Sequence, residues 1–383
     1  VTVTHPQGFR AAGVAAGLKS TGAQDVALVV NDGPDDAAAA VFTTNRFPAA
    51  PVLWSRQVLQ TGRVKAVVLN SGGANACTGP EGFSDTHATA EHVAAELGVG
   101  AIDVAVASTG LIGTRLPMDR LLAGVTAAAQ GLSDDGGPEA ARAIMTTDSV
   151  PKTTVQARDG WSIGGMAKGA GMLAPSLATM LVVLTTDAVV PADLLGSALK
   201  TATSLSFERV DSDGCLSTND TVLLMASGAS GVSPTAEEFA EALDAATLDL
   251  AMQLLADAEG STKDIAITVR NAASVEDALT AGRACARNNL LKTALFGNDP
   301  NWGRVLAAIG TTDAAFSPDA VDVTINGVTV CRGGAIGDPR EGVDLTGRDI
   351  AIDVDLRAGS QQATIWTNDL SIAYVHENSA YST

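Results

Sequence analysis

A chain of 383 residues, 46% apolar and 17% charged, is long enough to bury one large core or two to three smaller ones and too apolar for disorder. Apolar runs such as Met180 to Leu184 are too short to span a bilayer, so a membrane protein is not expected. With 24 basic against 43 acidic residues, a net charge of -19 and no Lys/Arg cluster, nucleic-acid binding is excluded on electrostatic grounds, and the charge serves solubility.

In chain order, the start Val1 to Phe9 lacks the basic patch and apolar stretch of a secretory signal. Residues 64–70 and 103–108, β-branched and apolar nearly throughout, read as buried strands. Between them Ala90, Val93, Ala94 and Leu97 follow helical spacing, and Gly98 stands where a helix C-terminal glycine belongs. Leu195, Ala198, Leu199 and Ala202 repeat that spacing. So do Phe239, Leu243, Ala246 and Leu250, after a Thr235/Glu238 capping box. The alternation predicts an α/β protein. Beyond about residue 260 the texture changes: a strand at 264–270, a helix over Val275 to Leu291, a hairpin turning at Asn326-Gly327, and strands at 349–356 and 361–366. A subdomain boundary is therefore expected near 260. Cys77, Cys215, Cys285 and Cys331 lie far apart, which suggests neither a zinc knuckle nor a disulfide framework and points to a reducing cytoplasm.

The familiar nucleophile arrangements are missing. No Gly-x-Ser-x-Gly elbow occurs, and His5, His87, His92 and His376 show no metal-ligand spacing, so no metal is expected. The glycine-rich stretch 164–172 is no phosphate loop, because Lys168 precedes Gly169 instead of following a Gly-x-x-x-x-Gly turn. Ala178-Thr179 at a strand start suits self-cleavage. A threonine hydroxyl can attack its own preceding carbonyl, and hydrolysis of the resulting ester leaves a free α-amine, of ordinary pKa about 7.7 to 8.0, as general base for that hydroxyl. Local spacing alone favours the plainer reading, a β-branched strand residue.

The conjunction of motifs decides between them. Gly8 to Lys19, Phe42 to Arg46, Asn70 to Gly79, Ser108 to Gly113, Met145 to Ser149, Lys168 to Asp187, Asp257 to Lys263, Gly297 to Arg304 and His376 to Thr383 resemble, in order and across almost the whole chain, the ornithine acetyltransferase family. A Gly72-Gly73 pair and Ala258 stand where other small residues are frequent in that family, which bears on loop shape only.

The resemblance implies an αββα sandwich of N-terminal-nucleophile type over residues 1–260 and a smaller α/β subdomain over 261–383 that lends tail residues to the site. It implies cleavage between Ala178 and Thr179 into α and β chains that assemble as a heterotetramer, with Thr179 as nucleophile and Thr109 with Gly110 as oxyanion hole. Thr146 or Thr147, Lys168, Thr179, Glu259, Asn378 and Thr383 are its substrate contacts. Glu259 suits the δ-ammonium of ornithine and Lys168 an α-carboxylate. The expected reaction moves acetyl from N-acetylornithine to glutamate, without a cofactor, in arginine biosynthesis; some members also take acetyl-CoA. An amidohydrolase or aminopeptidase of the same fold, passing the acyl group to water, is the nearby alternative, and a non-enzymatic acidic binding protein the distant one.

Overall fold

The computed structural model describes residues 2–174 and 180–380. The first stretch holds β1 (Phe9–Val14), β2 (Val26–Asn31), β3 (Ala38–Phe42), α1 (Ala50–Val58), β4 (Ala66–Asn70), α2 (Gly79–Leu97), β5 (Val104–Ser108), α3 (Met118–Gln130) and α4 (Gly137–Ala143). Next come β6 (Lys152–Arg158), β7 (Trp161–Lys168), β8 (Leu181–Thr186), α5 (Ala192–Leu205), β9 (Thr221–Ala226) and α6 (Ala236–Ala256). The last part comprises β10 (Asp264–Ala272), α7 (Val275–Ala286), α8 (Asn289–Phe296), α9 (Trp302–Ile309), β11 (Asp322–Ile325), β12 (Val328–Arg332) and β13 (Ala335–Ile336). It ends with β14 (Asp349–Asp355), β15 (Gln361–Asn368) and α10 (Ile372–Ala380).

Two sheets stack face to face. One has the order β1-β2-β4-β5, the other β3-β9-β8-β7-β6. The pleat explains the stacking. Leu181, Val183, Leu223 and Met225 point into the core shared with β2, β4 and β5, while Val182, Leu184, Val222 and Leu224 face the opposite way, onto α5 and α6. Strands apolar on both faces must be covered on both, and α2 and α3 close the far side of the first sheet with Val93, Leu121 and Val125. The order helix, sheet, sheet, helix is the αββα sandwich that the family resemblance implies.

A third sheet, β13-β12-β11-β14-β10-β15, is built wholly from residues after Lys263 and carries its own core with α7 and α9. Its β15 docks on the sandwich. Asp211 N donates to Trp366 O at 2.8 Å, and Asn368 bonds both Ser212 Oγ, at 2.7 Å, and Leu255 O, at 3.0 Å. The Asn326-Gly327 turn has positive φ at both residues, 43° and 83°, as a two-residue primed turn demands. One expectation needs correction. The helix predicted over Val275 to Leu291 is two helices, because Asn288 leaves the helical region (φ -84°, ψ 105°) and its side chain caps a new start by accepting from Leu291 N. Among the described residues no helix is long and apolar enough to cross a membrane.

Candidate active site

The parallel pair β4-β5 ends in a turn made of Thr109 and Gly110, and this turn is the fixed wall of the site. Thr109 N donates to Asn70 O and Gly73 N to Thr109 O, so two strand-end loops hold each other. Gly110 sits at φ 132°, and a Cβ there would lie 2.8 Å from Gly73 N, so only glycine closes the turn. Asn219 braces it from the second sheet, its amide donating to both Ala74 O and Ser108 O at 2.7 Å.

Thr109, Gly110, Thr146, Thr147, Lys168, Glu259 and Asn378 line one small cavity, together with Gly171 and Met172. Lys168, at the end of β7, is only 2% exposed, and its Nζ donates to Thr109 Oγ1 at 3.3 Å. Burial pushes its ammonium toward the neutral amine; Asp148 opposes this and Lys152 adds to it. Glu259 is buried as well. Its backbone N donates to Ala170 O, Oε1 accepts from Thr147 Oγ1 at 2.7 Å, and Oε2 has no partner among the described residues. Gly171 makes this possible, since a Cβ would come within 2.7 Å of the carboxylate. Viewed singly, such charges read as solvated surface groups, yet both are interior and both face the cavity.

What aligns these loops is a buried charge network. Lys152 Nζ, with no exposed side-chain surface, donates to Asp148 Oδ1 at 2.7 Å and to Asp257 Oδ2 at 2.6 Å. Asp148 also accepts from Thr146 N at 2.9 Å and Gly169 N at 2.6 Å, while Asp257 accepts from Ser149 N at 3.0 Å. Three segments, 146–149, 168–169 and 257–259, are thereby pinned to one ammonium. Burial alone would raise Asp148, but the Lys168 and Lys152 ammoniums hold it down at about 2. A further carboxylate adjoins the start of β8. Asp220, fully buried, accepts from Met180 N at 3.1 Å through Oδ1, and its Oδ2 has no partner among the described residues. Burial pushes it well above the usual carboxylate range, against the pull of the Met180 amide.

Of the sequence-predicted set, Thr109, Gly110, Thr146, Thr147, Lys168, Glu259 and Asn378 are brought together here, Asn378 from α10. Ala178, Thr179 and Thr383 lie outside the described residues. Asp148, Lys152, Asn219, Asp220 and Asp257 were not singled out from the sequence. Asp148 and Asp257 stand within the motifs quoted above, but nothing in their local spacing marks them as partners of one lysine.

The model of the ArgJ family matches residues 10–383. The chain belongs to the ArgJ family. It is 63% identical over 382 residues to the arginine biosynthesis bifunctional protein ArgJ of Streptomyces coelicolor, with 100% of each chain covered. To the protein of the same name from Mycobacterium tuberculosis it is 59% identical over 388 residues, covering 99% of this chain and 96% of the relative. Among solved structures it is similar to an ornithine acetyltransferase complexed with ornithine from Mycobacterium tuberculosis, 63% identical, covering 47% of this chain and 96% of that one with a TM-score of 0.45. It is also similar to an ArgJ bifunctional protein from Bacillus halodurans, 33% identical, covering 51% and 97% with a TM-score of 0.49.

Proposed function

We propose that this chain is a glutamate N-acetyltransferase of arginine biosynthesis, which takes acetyl from N-acetylornithine onto Thr179 and passes it to glutamate. The observation that carries this reading is the convergence on one cavity of a glycine-shaped turn, a fully buried lysine and a buried glutamate with one oxygen unpartnered. A substrate with a carboxylate at one end, an ammonium at the other and an acyl group between them answers each of these features. Full-length relatives named as arginine biosynthesis proteins support the same substrate class.

The chemistry divides into a maturation and two transfers. In maturation the Thr179 hydroxyl adds to the Ala178 carbonyl carbon, the C–N bond breaks as the amide nitrogen takes a proton, and water hydrolyses the resulting ester. Chain 1–178 then ends in a carboxylate and chain 179–383 begins with an α-amine. In the first transfer that amine removes the hydroxyl proton as the oxygen attacks the acetyl carbonyl. The Thr109-Gly110 turn stabilises the oxyanion, the proton passes to the departing ornithine nitrogen, and an acetyl ester remains. In the second, the neutral α-amine of glutamate attacks that ester and the threonine oxygen regains a proton. Lys168 holds the α-carboxylate, Glu259 the δ-ammonium, and Thr146 or Thr147, Asn378 and Thr383 complete the contacts. The two chains remain assembled together in the active oligomer.

Incubating the protein with N-acetylornithine, with and without glutamate, tests the reading. Acetylglutamate formed only when glutamate is present supports it. Release of acetate at the same rate in both samples points to a hydrolase, and no turnover to a binding protein. A parallel sample with acetyl-CoA and glutamate reports whether that donor is used.

A further inference from the structure

β8 and β9 run parallel with Leu181 opposite Thr221, so Asp220 stands beside Met180 where the two strands begin. Thr221 N donates to Met180 O and Met180 N to Asp220 Oδ1, each at 3.1 Å. The Met180 nitrogen is bonded to the carbonyl carbon of Thr179, and covalent geometry keeps the Thr179 α-nitrogen within about 3.7 Å of it. Asp220 is thus one residue's reach from the atom that maturation converts from an amide into an amine.

As a brace for one backbone N–H, a carboxyl is a costly choice. Asp220 has no exposed surface, and its Oδ2 has no partner among the described residues. Two neighbouring cations are engaged elsewhere: Lys168 Nζ donates to Thr109 Oγ1, and Arg56, from α1, donates to Thr43 O. The hydroxyls beside it are shared with the backbone, Thr43 Oγ1 donating to Ser217 O at 2.6 Å and Ser217 Oγ accepting from Asn219 N at 3.1 Å. Cys215, in the loop before β9, is a titratable neighbour, and the two negative charges disfavour each other. Burial pushes Asp220 well above the carboxylate range, against the Met180 amide, the Ser217 hydroxyl and the Lys168 ammonium. An asparagine would accept the same amide proton with no charge to bury, and Asn219, next in the chain, braces the β4-β5 turn in that neutral way. Scission after Ala178 supplies the charge that Asp220 lacks, since it frees an α-amine within reach.

We infer that Asp220 is the carboxyl partner of the Thr179 α-nitrogen, its proton donor during self-cleavage and its counter-charge in the mature enzyme. The inference rests on the reading of Thr179 as nucleophile given above. In maturation the Thr179 oxygen bonds to the Ala178 carbonyl carbon and the C–N bond breaks. The nitrogen takes one proton from the Asp220 carboxyl and one from the hydroxyl. A neutral carboxyl and a neutral amide thereby become a carboxylate and an ammonium, an ion pair formed in place, and hydrolysis of the ester leaves it intact. In acetyl transfer the ammonium first loses a proton to solvent. The amine then takes the hydroxyl proton as the oxygen attacks, and the carboxylate stabilises the ammonium that results.

Asp220→Asn keeps an acceptor for Met180 N and the shape of the side chain while removing the acid and the charge. Self-cleavage of freshly translated precursor, followed by denaturing mass spectrometry, should slow at least about tenfold. In chains that have cleaved, the plateau of kcat/KM for N-acetylornithine should fall at least about tenfold. Its acid limb should move down by about one pH unit or more, because the α-ammonium loses the carboxylate that holds its proton. A purely structural role lowers the plateau and leaves the limb in place. A stationary limb, or cleavage within about twofold of wild type, would overturn the assignment. Should the variant fail to fold or to cleave, the wild-type limb decides. Burial alone drives an amine below its ordinary range of about 7.7 to 8.0, whereas a carboxylate partner holds it there or higher, so a limb below about 7.7 excludes the pairing. If the wild-type chain neither cleaves nor carries acetyl on Thr179, the nucleophile reading falls first; if it does both and Asp220→Asn matches it, only the role of Asp220 falls.

Discussion

Replacing Lys152 by methionine removes one ammonium from between two carboxylates and leaves the packing volume nearly unchanged. Asp148 and Asp257 would then face each other with side-chain exposures of 0% and 11% and no cation between them. Breaking a buried pair from one side costs about 3 to 5 kcal/mol, since the stranded charge keeps its desolvation penalty. The backbone donors of Thr146, Gly169 and Ser149 offset part of this, so the lower end, about 3 kcal/mol, is expected. The loops that present Thr147, Lys168 and Glu259 lose their common anchor, so KM for N-acetylornithine should rise as well. Urea unfolding followed by tryptophan fluorescence measures the first effect and initial rates of ornithine release the second. Asp148→Asn/Lys152→Met should recover stability by removing one of the stranded charges. A single variant that loses less than about 1 kcal/mol and keeps its KM would refute the view that Lys152 organises these loops.

Glu259→Gln keeps an acceptor for Thr147 and loses the charge facing the ammonium; kcat/KM for N-acetylornithine should fall at least about tenfold, and chain cleavage, read by denaturing mass spectrometry, should persist. Thr179→Ala should abolish both cleavage and acetyl labelling while Thr179→Ser keeps some of each; a cleaved alanine variant would remove Thr179 from the mechanism. Gly110→Ala drives a Cβ to 2.8 Å from Gly73 N at a φ of 132°, so acylation should slow by about 100-fold or more as the oxyanion turn opens; a rate within threefold of wild type would exclude the turn from catalysis. The Asp148 carboxyl is depressed from 3.8 to about 2, so its contribution of about 2 kcal/mol is fully present above pH 4 and is lost as pH falls through 2. Asp148→Asn should flatten that part of the acid-unfolding curve, and an unchanged curve would contradict the assignment.

A few elements of the sandwich were legible from periodicity, because strands such as 66–70 and 104–108 are buried on both faces and read as unbroken apolar runs, whereas the sandwich itself was implied only by the family resemblance. Which strands pair was not legible. The neighbours of β8 are β7 and β9, and the latter comes after an intervening helix. The split between α7 and α8 was hidden for a local reason, since apolar residues continue at helical spacing through a break set by the backbone of Asn288. Glu259 and Lys168 were legible through family motifs alone; their burial depends on Gly171 and on a lysine-centred network whose partners are 105 positions apart.

The position of the proposed cut within the second sheet has a consequence for the order of events. Residues 178 and 179 fall between β7 and β8, adjacent antiparallel strands in the middle of that sheet, and β3, far upstream, pairs with β9, downstream of the cut. Each piece therefore holds part of one continuous hydrogen-bonded layer, the second sheet, and neither carries that sheet complete. Scission there would in this sense be a change of covalent connectivity inside a finished body. It must follow folding, and the halves made separately would each expose unpaired strand edges, whereas the precursor made whole delivers both already interleaved.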